Sequence, residues 1–217
     1  ELPSATLEVP MGEERWKAII GVKGNTFGFN FDKEAGFKRF QYGLVAREVR
    51  QITGAGNALF DGAAPVLFPR AKAPGTLATI AFNGVQAGRV VGGGYQYNNN
   101  LTPEYFADGS RFPSDYEPGD TAIEITPRIR LDRSAAANGV IDLFQGQGGT
   151  PFACSLTLPL GAGLSLTLNH PRCFAERPSQ VVSGPGAVEF QGRIMPAQTS
   201  GAPALTATLV NAIADLP

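Results

Sequence analysis

The residues able to do chemistry in this sequence are few and scattered. The single histidine, His170, lies in Asn169-His170-Pro171-Arg172-Cys173. A metal site needs His, Cys or carboxylates at ligand spacing. His170 with Cys173 is a thin pair that reads better as a strand-end turn. The same two side chains make a nucleophile only if they face each other with a third group orienting the ring, and nothing nearby marks such a group. Cys154 and Cys173 are the two cysteines. They are too few for a disulfide framework and lack CxxC spacing, so reduced core thiols are expected, with one bridge as the alternative. Gly21-x-x-Gly24 and Gly54-Ala55-Gly56 lack the Lys-Ser/Thr of a phosphate loop and the strand-to-helix setting of a dinucleotide site, so both read as turns. Asp115, Glu117 and Asp120 make a weak calcium pattern, set against a plainly solvated loop. Arg128, Arg130 and Arg133 alternate with apolar residues and are balanced by Glu124 and Asp132, which suits a sheet face better than a DNA clamp. No cofactor and no metal are expected, and the chain does not read as an enzyme.

Composition points the same way. Among 217 residues, 18 Lys and Arg face 19 Asp and Glu, for a net charge of −1. That disfavours a nucleic-acid binder gripping phosphates with a basic face. Apolar residues are 43% and charged residues 17%, too apolar for disorder and too poor in charge for a coiled coil. No apolar run nears the ~18 residues of a membrane span, and the opening residues show no signal-peptide core. Twenty-seven glycines and 17 prolines favour many short strands joined by turns.

Period-two alternation marks the elements that must position these residues. The stretch up to Trp16 is polar and proline-broken and reads as an arm. Residues 16–22 read as a buried strand. After a tight turn at Lys23-Gly24-Asn25, residues 26–32 alternate with Phe27, Phe29 and Phe31 on one face. Residues 37–50 hold a third strand or a pair. Residues 53–75 are rich in Gly, Ala and Pro and read as a connector. Residues 76–82 form a strand, Asn83-Gly84 a hairpin turn, and 85–97 a long strand holding Gly92, Gly93 and Gly94, which weaken it unless it bends there. Residues 98–120 show no period, yet carry Tyr105, Phe106, Phe112 and Tyr116. A loop of 23 residues is usually functional, and this one is expected to order only against a partner.

Residues 121–131 alternate Ile123, Ile125, Ile129 and Leu131 against Glu124, Thr126, Arg128 and Arg130. Pro127 inside implies a bulge or an edge. A helix is expected over 134–145. Three further strands follow, with Phe152, Cys154, Leu156 and Leu158, then Leu164, Leu166 and Leu168, then Val188, Phe190 and Ile194 facing inward; a last strand spans 204–211. The fold class is mainly β: a sandwich or open barrel of antiparallel strands with one flanking helix, preceded by a smaller meander. The expected division is an arm and meander over 1–52, a linker over 53–75, and the main sandwich over 76–217.

The stretches TIAFNGVQAGRVVGGGYQYNNNLTPEY, ITPRIRLD, the pair PFACSLTLPL and LSLTLNHPRC, and VVSGPGAVEFQGRIMPAQ with LTATLVNA follow one another in this order. Together they resemble the two-domain major tail tube proteins of long-tailed, siphovirus-like bacteriophages. Upstream, GVKGNTFGFNFDKEAGFKRFQYGL resembles the hairpin that ends a first domain in such proteins, although the first unit is shorter than a full domain. The resemblance spans about residues 17–50 and 76–212.

It implies a structural virion protein that self-assembles into rings, hexameric in this reading, which stack into a hollow tail tube. Tail terminator, tape measure and baseplate proteins would be its partners, with non-specific passage of DNA, no membrane, and assembly in the host cytoplasm. A 24-strand barrel at ~4.8 Å spacing and ~40° tilt has a backbone radius of about 24 Å. Side chains of ~5 Å leave a bore of about 38 Å, wide enough for a duplex roughly 20 Å across. On this reading Tyr105, Phe106, Phe112 and Tyr116 join ring to ring, and Glu124, Arg128, Arg130, Glu189 and Arg193 form the inter-subunit or lumen face. The alternatives are a secreted or surface carbohydrate-binding β-sandwich, or another virion protein such as a tail terminator or decoration protein. Sugar platforms usually present exposed aromatics on one sheet face, and Trp16 is the sole tryptophan.

Overall fold

The computed structural model describes residues 3–12, 15–32, 38–54, 78–87, 89–107, 111–130, 142–144, 149–161, 163–176 and 189–210. The connector from residue 55 onward, most of the helix expected over 134–145, and Leu131, Arg133 and Val188 lie outside them. Residues 142–144 are helical and bury Phe144. The chain divides into two compact units built from interleaved segments. The first comprises Glu1–Phe27, Gln41–Arg70 and Tyr97–Ala122; the second comprises Gly28–Phe40, Ala71–Gln96 and Ile123–Pro217. The class is the one the alternation predicts, mainly antiparallel β, and the described strands do not close into a barrel.

In the first unit a long central strand, β2 (Arg15–Asn30), collects its neighbours. On one side lies β1 (Ala5–Gly12), with Leu7 opposite Ile19 and Val9 opposite Lys17. On the other lies β4 (Glu48–Thr53), with Val49 opposite Ile19. β3 (Phe40–Val45) also pairs with β2.

Two expectations are corrected here. The stretch read as an arm is β1: Ala5, Leu7, Val9 and Met11 alternate, and Pro10 is tolerated because an edge strand does not need every N–H. The turn expected at Lys23-Gly24-Asn25 does not form, and β2 runs straight through it. Its would-be turn groups are engaged instead. The Asn99 amide donates to the Gly24 carbonyl at 2.9 Å, the Asn99 N–H to the Asn25 carbonyl at 2.8 Å, and the Leu101 N–H to Asn25 Oδ1 at 3.0 Å. The irregular point is Gly21, at φ +64°, where a Cβ would sit 2.9 Å from the Cβ of Arg47.

The second unit carries the core. Its strands run β7 (Arg89–Asn98), β10 (Ala122–Arg130), β14 (Arg193–Pro196), β12 (Leu164–Glu176), β11 (Phe152–Gly161), β5 (Thr79–Phe82) and β6 (Val85–Gln86). β13 (Glu189–Gln191) pairs with β10, and β15 (Thr206–Val210) with β12. Leu156 lies opposite Ile80 on one side and Leu168 on the other, all three buried, so an apolar row crosses three strands. Burying one such side chain is worth roughly 1.5–3 kcal/mol. Asn83 and Gly84, at φ +48° and +80°, supply the two left-handed residues that a two-residue hairpin with native twist requires. Every residue of β15 is exposed.

Pro127 is buried inside β10, which lies between β7 and β14 and so is not an edge. The interruption falls in the partner instead. β13 ends at Gln191, β14 begins at Arg193, and the intervening Gly192 donates its N–H to the Pro127 carbonyl at 3.1 Å. A side chain at Gly192 would meet the Phe144 ring at 2.3 Å.

The three glycines of β7 do not break that strand; they make room for its neighbours. A Cβ on Gly92 would overlap Asp32 Oδ1, and one on Gly93 would lie 2.4 Å from both Phe31 Cζ and the Thr126 carbonyl. Asp32 Oδ1 accepts the Gly93 N–H at 3.1 Å, so the gap is filled by a bonded carboxylate. Gly93→Ala should therefore lower the unfolding free energy by at least about 2 kcal/mol in urea denaturation. Gly24→Ala, with nothing within 4 Å of its added carbon, should stay within about 0.5 kcal/mol of wild type.

Candidate interaction surfaces

The polar face of β10 gathers the charged residues expected there. Arg193 donates to Glu124 at 2.9 Å and to Glu176 at 3.2 Å. Arg128 donates to Asp32 Oδ1 at 2.5 Å. Arg130 stands opposite Glu189 in the β10–β13 register. All five expected residues, Glu124, Arg128, Arg130, Glu189 and Arg193, thus fall on three adjacent strands. Asp32 and Glu176 complete the arrangement and were not picked out from the sequence. Asp32 follows a phenylalanine run and sits 96 positions from Arg128, so no local pattern pointed to it.

The Arg193 guanidinium is raised above its ordinary pKa by Glu124 first and then by Glu176, and that of Arg128 by Asp32. Exposed pairs of this kind contribute about 0.2–1 kcal/mol each, so their larger effect is to fix charge positions. Acids and bases alternate, and Arg128 and Arg193 are already engaged with carboxylates.

Residues 98–120 are more ordered than expected. β8 (Thr102–Glu104) and β9 (Asp115–Glu117) pair into a hairpin. Its base is tied down within the first unit. Asp115 accepts from Lys23 at 2.5 Å, and the Tyr116 hydroxyl donates to the Ala46 carbonyl at 2.6 Å. The Gly119 N–H donates to the Asn100 carbonyl at 3.2 Å. Lys23 and then the Tyr116 N–H hold the Asp115 carboxyl below its usual range. The base therefore orders without a partner, because its polar side chains find bonds 70 to 92 positions away that periodicity does not reveal.

The four aromatics divide. Tyr116 turns inward, and Phe112 is half-buried with the Arg111 guanidinium 4.8 Å over its ring. Tyr105 and Phe106, at 64% and 62% exposure, are left on the surface.

The remaining chemical candidates are engaged structurally. His170 is buried, and its Nδ1 donates to the Ala204 carbonyl at 2.7 Å, which leaves Nε2 as a bare acceptor. Burial pushes the imidazole below its ordinary pKa. Cys173 Sγ contacts the His170 carbonyl at 3.8 Å rather than the ring. Cys154 and Cys173 are both free and buried. The Cys154 thiol is pushed well up by its hydrogen bond with Cys173 and by burial, the opposite of nucleophile activation. Among the described residues no three His, Cys, Asp or Glu side chains are grouped to hold a metal ion, and no helix is long and apolar enough to cross a membrane.

What the fold presents is therefore surface: strands with one face in the core and the other carrying ordered charge, and a pinned hairpin with bare aromatics. That is the class of a structural, contact-making β protein. Residues 4–209 match the family described as phage tail tube protein, and the chain belongs to that family. It is accordingly a structural component of the virion tail. No curated protein matches the chain.

The buried imidazole has a measurable consequence. Unfolded, His170 takes up a proton near pH 6.5; folded, it does so only at lower pH. Stability should be level above that pH and fall as pH drops below it, with a slope of at most about 1.4 kcal/mol per unit. Urea midpoints between pH 7.5 and 5 should show this decline, and His170→Asn should flatten it.

Proposed function

We propose that the chain assembles with copies of itself into rings, hexameric in number, that stack into a hollow tube passing genomic DNA. Tail terminator, tape measure and baseplate proteins would meet it at the tube ends and bore, with assembly in the host cytoplasm. Membership of the tail tube family over nearly the whole chain is the observation that carries this reading. Two structural features support it. The Tyr105–Phe106 tip is exposed on a hairpin whose base is fixed, as a ring-to-ring contact needs. The β10 face holds its arginines in pairs with carboxylates, so a lumen lined by Glu124, Arg128, Arg130, Glu189 and Arg193 would let phosphates slide rather than bind. The open edges of β1, β6 and β15 offer main-chain groups for pairing between neighbours.

Negative-stain imaging of the purified protein tests this directly. Rings or long hollow tubes are expected, and a monodisperse monomer at high concentration would overturn it. Replacing residues 105–112 by a short Gly-Ser link keeps the pinned hairpin base. That variant should fold and make single rings without long tubes; tubes of ordinary length and stability would place stacking elsewhere.

A further inference from the structure

The β5–β6 hairpin turns on Asn83-Gly84, and both residues are exposed. This pair carries chemistry of its own. A backbone nitrogen can attack the side-chain amide of the asparagine before it when its own residue leaves the approach open. Glycine, with no Cβ, obstructs that approach least. A Cβ added at Gly84 would meet nothing within 4 Å, so the space around it is open as well. The folded turn nevertheless holds the two groups apart. Asn83 has φ +48°, and a left-handed residue brings its Cβ close to its own carbonyl oxygen. The Gly84 nitrogen lies on the other side of that carbonyl carbon and so faces away from the Asn83 side chain. Ala153 of β11 fixes this arrangement. Its N–H donates to Asn83 Oδ1 at 2.9 Å, and its carbonyl accepts the Asn83 N–H at 2.9 Å.

We propose that Asn83 is a self-modification site that the closed hairpin holds in check. When the turn opens, the Gly84 nitrogen gives its proton to hydroxide and bonds to Asn83 Cγ. The bond from Cγ to the side-chain nitrogen breaks, and that nitrogen leaves as ammonia after taking a proton from water. Water then opens the cyclic imide at either carbonyl, giving aspartate or isoaspartate. The net change is amide plus water to acid plus ammonia, with nothing oxidised or reduced. Either product adds a negative charge to the turn. Isoaspartate also routes the main chain through the side-chain carbon, lengthening a turn whose two left-handed residues hold Phe82 opposite Val85.

Peptide mapping of the full chain tests it, because the tryptic peptide of residues 73–89 holds Asn83 as its sole asparagine. The chain is kept at mildly alkaline pH, folded or in guanidinium chloride, and the amide-to-acid mass gain of that peptide is followed by mass spectrometry. Conversion in denaturant, with isoaspartate among the products, is expected. In the folded chain it should run at least about tenfold slower, since the turn must first open against its bonds to Ala153. Equal rates would overturn control by the hairpin, and no conversion in denaturant would overturn the site itself. Gly84→Ala is compared in denaturant alone, where its effect on folding does not enter. The added methyl should slow conversion about tenfold by crowding the attacking nitrogen. An unchanged rate would overturn the part assigned to the Gly84 nitrogen.

Discussion

A β-strand offers its side chains alternately to two faces, so a sheet that buries one face commits every residue at once. In this chain the commitment is shared across strands through register. Leu156 can meet Ile80 and Leu168 only if β5, β11 and β12 are aligned as they are, and a slip of one residue would turn each apolar set outward. In β10 the buried Ile123, Ile125 and Ile129 make the same commitment, and so fix where Glu124, Arg128 and Arg130 emerge on the opposite face. Core packing and surface chemistry are two readings of one register, and the charged pattern needs no separate device to hold it.

Alternation was also what could be read from the amino-acid order. The inward sets of β10 and β11, the Asn83-Gly84 hairpin and the mainly β class follow from local spacing. Other features did not follow, because they depend on distant partners. β1 was hidden by Pro10 within it and Pro3 just before it, and only pairing with β2 reveals its alternation. The Lys23-Gly24-Asn25 sequence has turn chemistry, yet the segment 99–101 bonds to it and keeps it extended. The order within residues 98–120 comes from Tyr116 reaching Ala46 and Asp115 reaching Lys23. Of the surface residues named from sequence, those on β10, β13 and β14 do share one face. The tip aromatics separated from Phe112 and Tyr116, and Asp32 and Glu176 carried no local signature.

Small residues in this fold act as clearances. Gly92 and Gly93 admit the Asp32 carboxylate and the Phe31 ring, and Gly192 admits the Phe144 ring while completing a bond to Pro127. Each sits where a strand would ordinarily be weakened by losing a side chain. The loss is offset because the freed space is occupied by groups that bond or pack there. Asp32 thus anchors a backbone amide and orients Arg128 with the same oxygen.

The exposed strand β15 has a kinetic meaning. Thr206–Val210 is held to β12 by its ladder while none of its side chains is buried, so opening it costs little beyond those hydrogen bonds. Its amides should therefore exchange faster than those of β11, which is flanked by β5 and β12. On that ordering, the Ser165–Asn169 edge of β12 is the part of the sheet that local opening would uncover first.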